Sequence, residues 1–313
     1  MRRLLPLVLL AAIGCQTGGD PVEVVIPRGL STAGIADTLL AHGVIDNPGK
    51  FRLLARVLGF EKRLRFGRYR LRANTEELFV LEALARELPA AIRVTIPEGY
   101  RLTQIARALE ENAICPAVEF EAACRDRSLL ELLGIPGRSA EGYLFPDTYE
   151  FETGSAPADV IERMAVRFRE VYGGLRADAA PPLDDSQTVI LASILEREVV
   201  RREELATVAG VFVNRLRRGF PLQSCATVQY ALPAYKEKLS VEDTRVDSPY
   251  NTYLRPGLPP GPISNPGREA LKAALSPQRT DYLYFVAEGD GSHTFSRTLR
   301  EHEAAKRRAR QGS

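Results

Sequence analysis

The sequence contains few metal-binding residues and no excess of either charge. Its four cysteines and three histidines form no C-x-x-C or H-E-x-x-H motif, so no structural or catalytic metal is predicted, and no other cofactor is predicted either. The 42 lysine and arginine residues nearly balance the 40 aspartate and glutamate residues. This balance argues against a general nucleic-acid-binding protein, because such proteins rely on a dominant basic surface.

Low-complexity segments are also missing. With 45% hydrophobic and 26% charged residues, the 313-residue chain is typical of a globular protein rather than a disordered or multi-span membrane protein. Its length is sufficient for about two domains, at roughly 150 residues per domain.

The amino terminus has the pattern of an export signal. Met1-Arg2-Arg3 precedes an apolar run from Leu4 to Ile13, which is too short to span a bilayer because spanning needs about 20 apolar residues. The run ends in Ala12-Ile13-Gly14-Cys15, which resembles the lipobox of bacterial lipoproteins. We therefore predict a lipoprotein-type signal peptide over residues 1–15, lipid attachment at Cys15 and a linker over residues 16–21. An ordinary signal peptide, with Cys15 incidental, is the alternative.

Either signal predicts an exported protein, and the lipid would anchor it to a bacterial membrane, facing the periplasm or cell wall. The sequence does not distinguish the inner from the outer membrane. In an oxidising compartment the remaining cysteines, Cys115, Cys124 and Cys225, are odd in number. Cys115 and Cys124 are close enough in sequence to form a disulfide, and two separate buried thiols are the alternative.

The first part of the mature chain predicts a small α+β module over residues 22–90. Residues 22–26 alternate as a strand, Ser31 is an expected helix N-cap, and apolar residues at helical spacing follow. A second helix precedes a returning strand at residues 67–71. The apolar face of that helix is predicted to contain Phe51, Leu54, Val57 and Leu58. This order of elements resembles a LysM-like module, a small fold that holds peptidoglycan in many proteins.

Residues 91–100 echo the first strand and its Pro-x-Gly turn, which indicates an imperfect internal duplication. The Gly- and Pro-rich segment 134–138 is the expected domain joint, so a second α+β segment is predicted over residues 91–138 and a larger domain over residues 139–313. The larger domain is predicted to have helices at 158–172, 186–200, 205–218 and 269–275, and a strand at 282–286. A turn-rich stretch over residues 220–266 is where function is expected.

The helix predicted at residues 186–200 carries two acidic residues, Glu196 and Glu198. Side chains two positions apart on an α-helix diverge by about 200°, so both cannot face one site. Glu198 lies on the apolar face, whereas Glu196 is nearer the side expected to meet solvent. Burial raises the pKa of a carboxyl group, as a general acid near neutral pH requires. A salt bridge from Glu198 to Arg201 or Arg202 is the alternative.

Motifs in order along nearly the whole mature chain resemble the YceG/MltG family of endolytic murein transglycosylases. They are residues 141–149 (EGYLFPDTY), 192–198 (ASILERE), 211–216 (VFVNRL) with 222–224 (LQS), 248–253 (SPYNTY), 257–263 (GLPPGPI), and 282–287 (YLYFVA) with 291–295 (GSHTF).

The resemblance implies an α+β fold in which a LysM-like amino-terminal module is joined to an α+β catalytic domain with a lysozyme-like active-site helix. The family's catalytic glutamate is the second of the E-x-E pair, which is Glu198 here. The implied reaction cleaves the β-1,4 bond between N-acetylmuramic acid and N-acetylglucosamine within peptidoglycan strands and leaves 1,6-anhydromuramoyl ends. Synthases of the wall-elongation machinery are the implied protein partners.

Six residues of these motifs carry the amide, hydroxyl and aromatic groups that orient N-acetyl sugars. They are Asn214, Gln223, Tyr250, Asn251, Thr252 and Tyr253. A turn or capping role is the alternative for each of them. His293, in the last motif, is expected to be structural.

A hydrolase would need a second carboxylate to attack the sugar or to activate water. Asp147, Glu150, Asp243 and Asp247 are available, and none is assigned that role. Two other functions stay open, namely a non-catalytic peptidoglycan-binding or scaffold protein of the cell-wall machinery and a water-using muramidase.

The chain departs from the family at Cys225-Ala226, where aspartate and proline usually stand. Cysteine cannot accept hydrogen bonds as a carboxylate does, so the group that the acid orients must be held otherwise.

Overall fold

The computed structural model describes residues 19–27, 29–86 and 91–311, and combines helices with small two-stranded sheets. The predicted α+β class is thereby confirmed. Two compact units can be distinguished. Unit 1 comprises the residues up to Ala91 together with Glu152–Gly154, and unit 2 comprises Ile92–Phe151 and the residues from Ser155 onward. The predicted signal peptide and Cys15 lie outside the described residues.

Unit 1 contains an antiparallel pair of strands, β1 (Pro21–Ile26) and β2 (Gly67–Arg72). The helices α1 (Thr32–Ala41) and α2 (Pro48–Val57) lie between the strands in sequence, and α3 (Glu77–Arg86) follows. This is the order of elements that the sequence predicts.

Helices α1 and α2 of unit 1 begin at side-chain caps, Ser31 and Asn47. The Ser31 hydroxyl accepts a hydrogen bond from the Gly34 N–H at 3.2 Å, as predicted, and thereby satisfies a group without a partner inside α1. The predicted apolar face of α2 is only partly correct. Phe51 is buried, but Val57 and Leu58 are exposed because they lie at the end of the helix. Ala55, one turn after Phe51, is buried instead.

Unit 2 has two antiparallel strand pairs, β3 (Ile92–Thr95) with β4 (Thr148–Phe151), and β5 (Tyr284–Ala287) with β6 (His293–Ser296). Its helices are α4 (Leu102–Glu111), α5 (Ala117–Ala123), α6 (Arg127–Leu132), α7 (Pro157–Ala177), α8 (Asp185–Glu198), α9 (Leu205–Arg217), α10 (Cys225–Ala231), α11 (Arg268–Leu275) and α12 (Leu299–Gln311). The sequence pattern does not predict α10 or β6, since each is short and follows a turn-rich stretch. No helix in the described ranges is both long enough and apolar enough to cross a membrane.

One hydrophobic core extends through unit 2 from Val94 to Ala274. Residues of the predicted segment 91–138, such as Ile105 and Leu130, pack in the same core as residues of α7 and α8. The segment 134–138 therefore turns the chain within unit 2 and does not separate two domains. The reason is that the short helices α4 to α6 bury their apolar faces against the later helices, as the contact between α5 and α7 illustrates.

Cys115 and Cys124 are two separate buried thiols, which is the second of the two alternatives. Burial raises the pKa of both, that of Cys115 to about 12. Thiols in such surroundings are unreactive, because the thiolate is the nucleophile.

Candidate active site

Helix α8 lies in the core of unit 2 and ends at Glu198. Asp184 caps it by accepting a hydrogen bond from the Gln187 N–H at 2.8 Å. Every residue from Thr188 to Leu195 is buried, and the acidic side chains lie at the two ends of the helix, Asp185 in the first turn and Glu196 and Glu198 in the last. The partial negative charge at a helix carboxyl end disfavours a carboxylate there.

Glu198 lies at the amino-terminal end of α10. The hydroxyl of Ser224, the N-cap residue of α10, donates a hydrogen bond to Oε1 of Glu198 at 2.7 Å. Burial raises the pKa of Glu198 above its ordinary value, whereas the Ser224 hydroxyl, the N–H groups of Ala226 and Cys225, and the charge of His293 oppose this shift. Glu198 therefore keeps its proton to a higher pH than an exposed glutamate does.

The opposite face of the end of α8 binds the segment 263–267. The Glu196 carboxylate accepts a hydrogen bond from the Gly267 N–H at 2.8 Å, and the Ser193 hydroxyl accepts one from the Ile263 N–H at 3.0 Å. Residues 193 and 196 share a face because they are three positions apart. Glu196 is half-buried, as is Glu198, so the predicted difference in exposure between the two glutamates is not observed, and the pKa of Glu196 is raised, mainly by burial. The two glutamates do point to different surroundings, as predicted.

The arginines after α8 have other partners than Glu198. Arg201 pairs with Asp290 at 2.6 Å, and Arg202 pairs with Glu98 at 2.6 Å. The alternative in which one of them neutralises Glu198 is therefore not what the structure contains.

Tyr253, Cys225 and Gln223 surround the contact between Glu198 and Ser224. The Tyr253 hydroxyl lies 3.3 Å from the Cys225 sulfur, and burial together with the nearby Cys225 and Glu198 raises the pKa of Tyr253. Cys225 is exposed as a residue, but its sulfur is partly buried, and this burial raises the pKa of the thiol. Gln223 is exposed and has a φ of 51°, a strained value for a residue other than glycine.

Thr252 and Asn251 support the site from below its surface. The Thr252 hydroxyl accepts a hydrogen bond from the Ser224 N–H at 3.1 Å, and it lies 2.8 Å from the Thr227 hydroxyl. Asn251 has 0% exposure, and its amide group donates to the Thr244 and Val246 carbonyls. Both side chains are buried and engaged with protein, so we reassign them from sugar binding to support.

Asn214 is similarly engaged. Its amide nitrogen donates hydrogen bonds to the carbonyls of Thr280 at 2.6 Å and Tyr282 at 3.1 Å. It thereby fixes α9 to the segment that leads into β5, a structural role in place of the predicted contact with sugar.

Tyr250 is half-buried and forms part of an aromatic wall. Its ring lies 4.8 Å from the ring of Tyr230, centre to centre, and the guanidinium of Arg101 lies 4.9 Å from the centre of the Tyr230 ring. Because sugars stack on aromatic rings, this wall is compatible with the predicted role of Tyr250.

His293 forms a buried pair with Glu204. Nδ1 of His293 lies 2.6 Å from Oε2 of Glu204, and the His293 N–H donates to Oε1 of the same residue at 3.1 Å. This pair connects β6 to the turn that follows α8. The predicted structural role of His293 agrees with these contacts, although its charge also reaches Glu198.

The four carboxylates considered for a hydrolase are all in ion pairs. The pairs are Asp147 with Arg167, Glu150 with Arg93, Asp243 with Lys236, and Asp247 with Arg255.

Two residues that the sequence analysis did not single out individually are important for the site. Ser224 could have been found from its N-cap pattern, since serine is preferred at that position. Asn265 could not have been found from the sequence. Its amide oxygen accepts hydrogen bonds from the Gly142 and Leu144 N–H groups, and its amide nitrogen donates to the Tyr100 carbonyl and to Oε1 of Glu141. Those partners are 121 to 165 residues away in sequence.

Several known proteins are similar to this chain over most of its length. The chain is 32% identical over 306 residues to the endolytic murein transglycosylase of Bacillus subtilis (strain 168), covering 91% of this chain and 84% of the relative. It is 30% identical to the endolytic murein transglycosylase of Streptococcus pneumoniae serotype 2, covering 90% of this chain and 57% of that longer protein. Among solved structures, a YceG-like protein of Listeria monocytogenes matches with a TM-score of 0.60 and 30% identity, covering 91% of this chain and 98% of that one.

The family model described as the YceG-like family matches residues 24–308, almost the whole described chain. The resemblance seen in the sequence motifs is thereby confirmed. The protein belongs to the YceG-like family.

Proposed function

We propose that this protein is an endolytic murein transglycosylase. It cleaves the β-1,4 bond between N-acetylmuramic acid and N-acetylglucosamine within peptidoglycan strands and leaves 1,6-anhydromuramoyl ends. The observation that carries the proposal is Glu198, a carboxyl group with a raised pKa held by Ser224 at the end of a buried helix. Relatives of this chain in Bacillus subtilis and Streptococcus pneumoniae bear this activity in their names.

Glu198 serves first as an acid and then as a base. Its protonated carboxyl donates a proton to the departing glycosidic oxygen while the bond from that oxygen to C1 of the muramoyl residue breaks. The resulting carboxylate removes the proton from the muramoyl 6-hydroxyl, whose oxygen forms the new bond to C1. The proton is thus returned to Glu198 and no water is consumed. Between the two steps, the Ser224 hydroxyl on Oε1 stabilises the carboxylate.

The surrounding carboxylates support this reaction over hydrolysis. A retaining hydrolase needs a second carboxyl group about 5 Å from the acid, as a nucleophile. The four candidates are each paired with an arginine or lysine. Glu196, the nearest acid in sequence, faces Gly267.

Product analysis of digested sacculi tests the proposal. Anhydromuramoyl ends indicate a transglycosylase, reducing ends indicate a muramidase, and intact strands indicate a binding protein. We expect Glu198→Gln to lower the cutting rate by about 10²–10⁴-fold, the usual contribution of a general acid–base. Glu196→Gln, two residues away, is the matched control and should keep most of the activity. Loss of cutting in the Glu196 variant but not in the Glu198 variant would refute the assignment.

We also propose that unit 1 is LysM-like and that α8 is a lysozyme-like active-site helix. The strand, helix, helix, strand order of unit 1 and its antiparallel β1–β2 pair support the first assignment. A buried helix that ends in the reacting carboxyl supports the second.

We further propose that the protein acts outside the cytoplasm, anchored through acylated Cys15, in contact with wall-elongation synthases. The lipobox pattern of residues 12–15 supports the anchor, and the family resemblance supports the synthases. Mass spectrometry of the mature amino terminus should find a diacylglycerol on Cys15, and Cys15→Ala should release the protein from membranes. An unmodified mature terminus would refute the anchor.

A further inference from the structure

Two arginines lie together beside the aromatic wall. The guanidinium of Arg101 covers the ring of Tyr230, which packs against Tyr250. Arg197 lies against Gly99, and Gly99 is two residues before Arg101 in the sequence. A Cβ atom added to Gly99 would be 3.5 Å from Cδ of Arg197. Gly99 has a φ of 77°, which glycine adopts readily, so this loop brings its backbone against Arg197.

The charges of Glu141 and Glu196 act on Arg101 and Arg197 respectively, but each nearby carboxylate has another hydrogen-bond or ion-pair partner. Glu98 is paired with Arg202, Glu196 accepts the Gly267 N–H, and Glu141 accepts the Leu102 N–H. Within the described part of the chain, neither Arg101 nor Arg197 has an ion-pair partner within 4.0 Å. Burial and the charge of Arg197 both lower the pKa of Arg101, while Glu141 only partly offsets them.

Two like charges in a partly buried place are unfavourable unless an anion joins them. Such local conflicts are expected at functional sites. Arginine presents a planar, forked set of donors that matches a carboxylate, and two arginines can bind one from both sides.

The position of the pair indicates which anion it binds. Tyr230 is five residues beyond Cys225 on α10, about 8 Å along the helix axis at 1.5 Å per residue. The pair therefore lies beside the groove rather than at the cleaved bond. The sugars of peptidoglycan are uncharged, and the carboxylates of the polymer are on the peptide stems of the muramoyl residues.

We propose that Arg101 and Arg197 form a carboxylate-binding subsite for the peptide stem of a muramoyl residue bound next to Tyr230 and Tyr250. This inference rests on the proposed function, since it takes the same polymer as the ligand. It adds that the enzyme recognises the negative charge of the peptide stems.

The test measures the affinity of the non-cutting Glu198→Gln protein for two purified ligands. The first is peptidoglycan strands that carry their stems, and the second is the same strands after carbodiimide coupling to methylamine has turned the stem carboxylates into neutral amides. We expect the Glu198→Gln protein to prefer strands with free stem carboxylates, and adding Arg101→Gln or Arg197→Gln to reduce that preference about tenfold, because a charged hydrogen bond is lost. Arg107→Gln, an exposed arginine of α4 paired with Glu111, is the matched control and should keep the preference.

Equal preference in the arginine variants and the control would overturn the subsite. Because Arg101 is half-buried and its replacement can affect folding, the exposed Arg197 variant is judged separately. Product analysis with the wild-type enzyme separates the two ideas. If the wild-type enzyme produces anhydromuramoyl ends but the arginine variants keep the full binding preference, only the subsite is refuted. If the strands stay intact but the arginine variants lose the preference, only the catalytic proposal is refuted.

Discussion

The charge of Glu198 depends on a few donors that surround one carboxyl group. Burial favours the protonated form, and the Ser224 hydroxyl at 2.7 Å is the one side-chain donor on Oε1 among the described contacts. Because burial outweighs these donors, the pKa of Glu198 is raised, and Glu198 keeps its proton at pH values where an exposed glutamate has lost it. Ser224 thereby sets the upper pH limit for the acid step.

Replacing Ser224 with alanine should extend activity to higher pH. Loss of a donor that favours the carboxylate raises the pKa of Glu198 further, by about one unit for a typical hydrogen bond to a charged group. Because the acid step needs protonated Glu198, the alkaline limb of kcat/KM against pH should move upward. Ser240→Ala, which removes a hydroxyl from Asp243 elsewhere in unit 2, should leave that limb unchanged. An alkaline limb that stays in place in Ser224→Ala would contradict this role.

Helical periodicity predicted Glu198 as the residue on the apolar face, and in the structure it is half-buried with its carboxyl group against Ser224. The residue types of the 248–253 motif did not show which of its side chains are exposed and which are buried. Tyr250 and Tyr253 are half-buried, whereas Asn251 and Thr252, which also carry polar groups, are buried. Which polar group faces inward depends on loop geometry, and sequence spacing does not encode that.

At the scale of elements, α9 is positioned by a close approach of the chain before β5. The Gln278 N–H donates to the Ala206 carbonyl at 2.9 Å, and Gly210 faces the Gln278 carbonyl. A Cβ on Gly210 would collide with that backbone oxygen. Glycine is therefore required inside this helix, although it is an unfavourable helix residue.

Gly210→Ala should destabilise the protein by about 1–3 kcal/mol, because α9 or the 278–280 segment must shift to accommodate the methyl group. Gly173→Ala in α7 is the control, since nothing lies within 4 Å of a Cβ there. That substitution should stabilise the protein by about 0.5–1 kcal/mol through helix propensity alone. Urea unfolding measures both values. Equal changes in the two variants would mean that the close approach does not constrain α9.

The long helices α7, α8 and α9 were predictable, whereas the short elements α10 and β6 were not. Periodic apolar residues locate α7, α8 and α9 within a few residues of their observed bounds. Helix α10 has seven residues, which is too short for a periodic pattern, yet its first turn supplies the N–H groups that face Glu198.

At the scale of the molecule, Glu141 and Asn265 join three distant segments of unit 2. Glu141 accepts hydrogen bonds from the Leu102 N–H and the Asn265 amide, and Asn265 also binds Tyr100 and Leu144. Burial raises the pKa of Glu141 to about 7. Contacts between residues so far apart in the sequence are the part of the fold that could not be predicted from a single sequence.

This carboxyl group makes stability depend on pH. The folded chain holds the proton of Glu141 up to about pH 7, whereas an ordinary glutamate releases it near 4.5. Between these pH values the folded state therefore binds more protons than the unfolded state. The contribution of Glu141 to the free energy of unfolding falls as the pH rises from about 4.5 to 7, by up to about 3 kcal/mol. Glu141→Gln, which cannot titrate, should show a smaller fall in unfolding free energy between pH 5 and pH 8.

Glu111→Gln provides the comparison for this measurement, because Glu111 is exposed on α4 and paired with Arg107. Its unfolding free energy should follow the wild-type curve. Curves of the same slope for Glu141→Gln and the wild type would show that Glu141 ionises freely in the folded protein.

Cys225 gives the groove a built-in attachment point. Of the three cysteines in the described chain it is the exposed one, and it follows Ser224, which binds Glu198. A maleimide fluorophore coupled there in mildly alkaline buffer would lie next to the Ser224–Glu198 contact, where the proposed function requires a strand to bind. Strand binding and release could then be followed in real time with the native cysteine set.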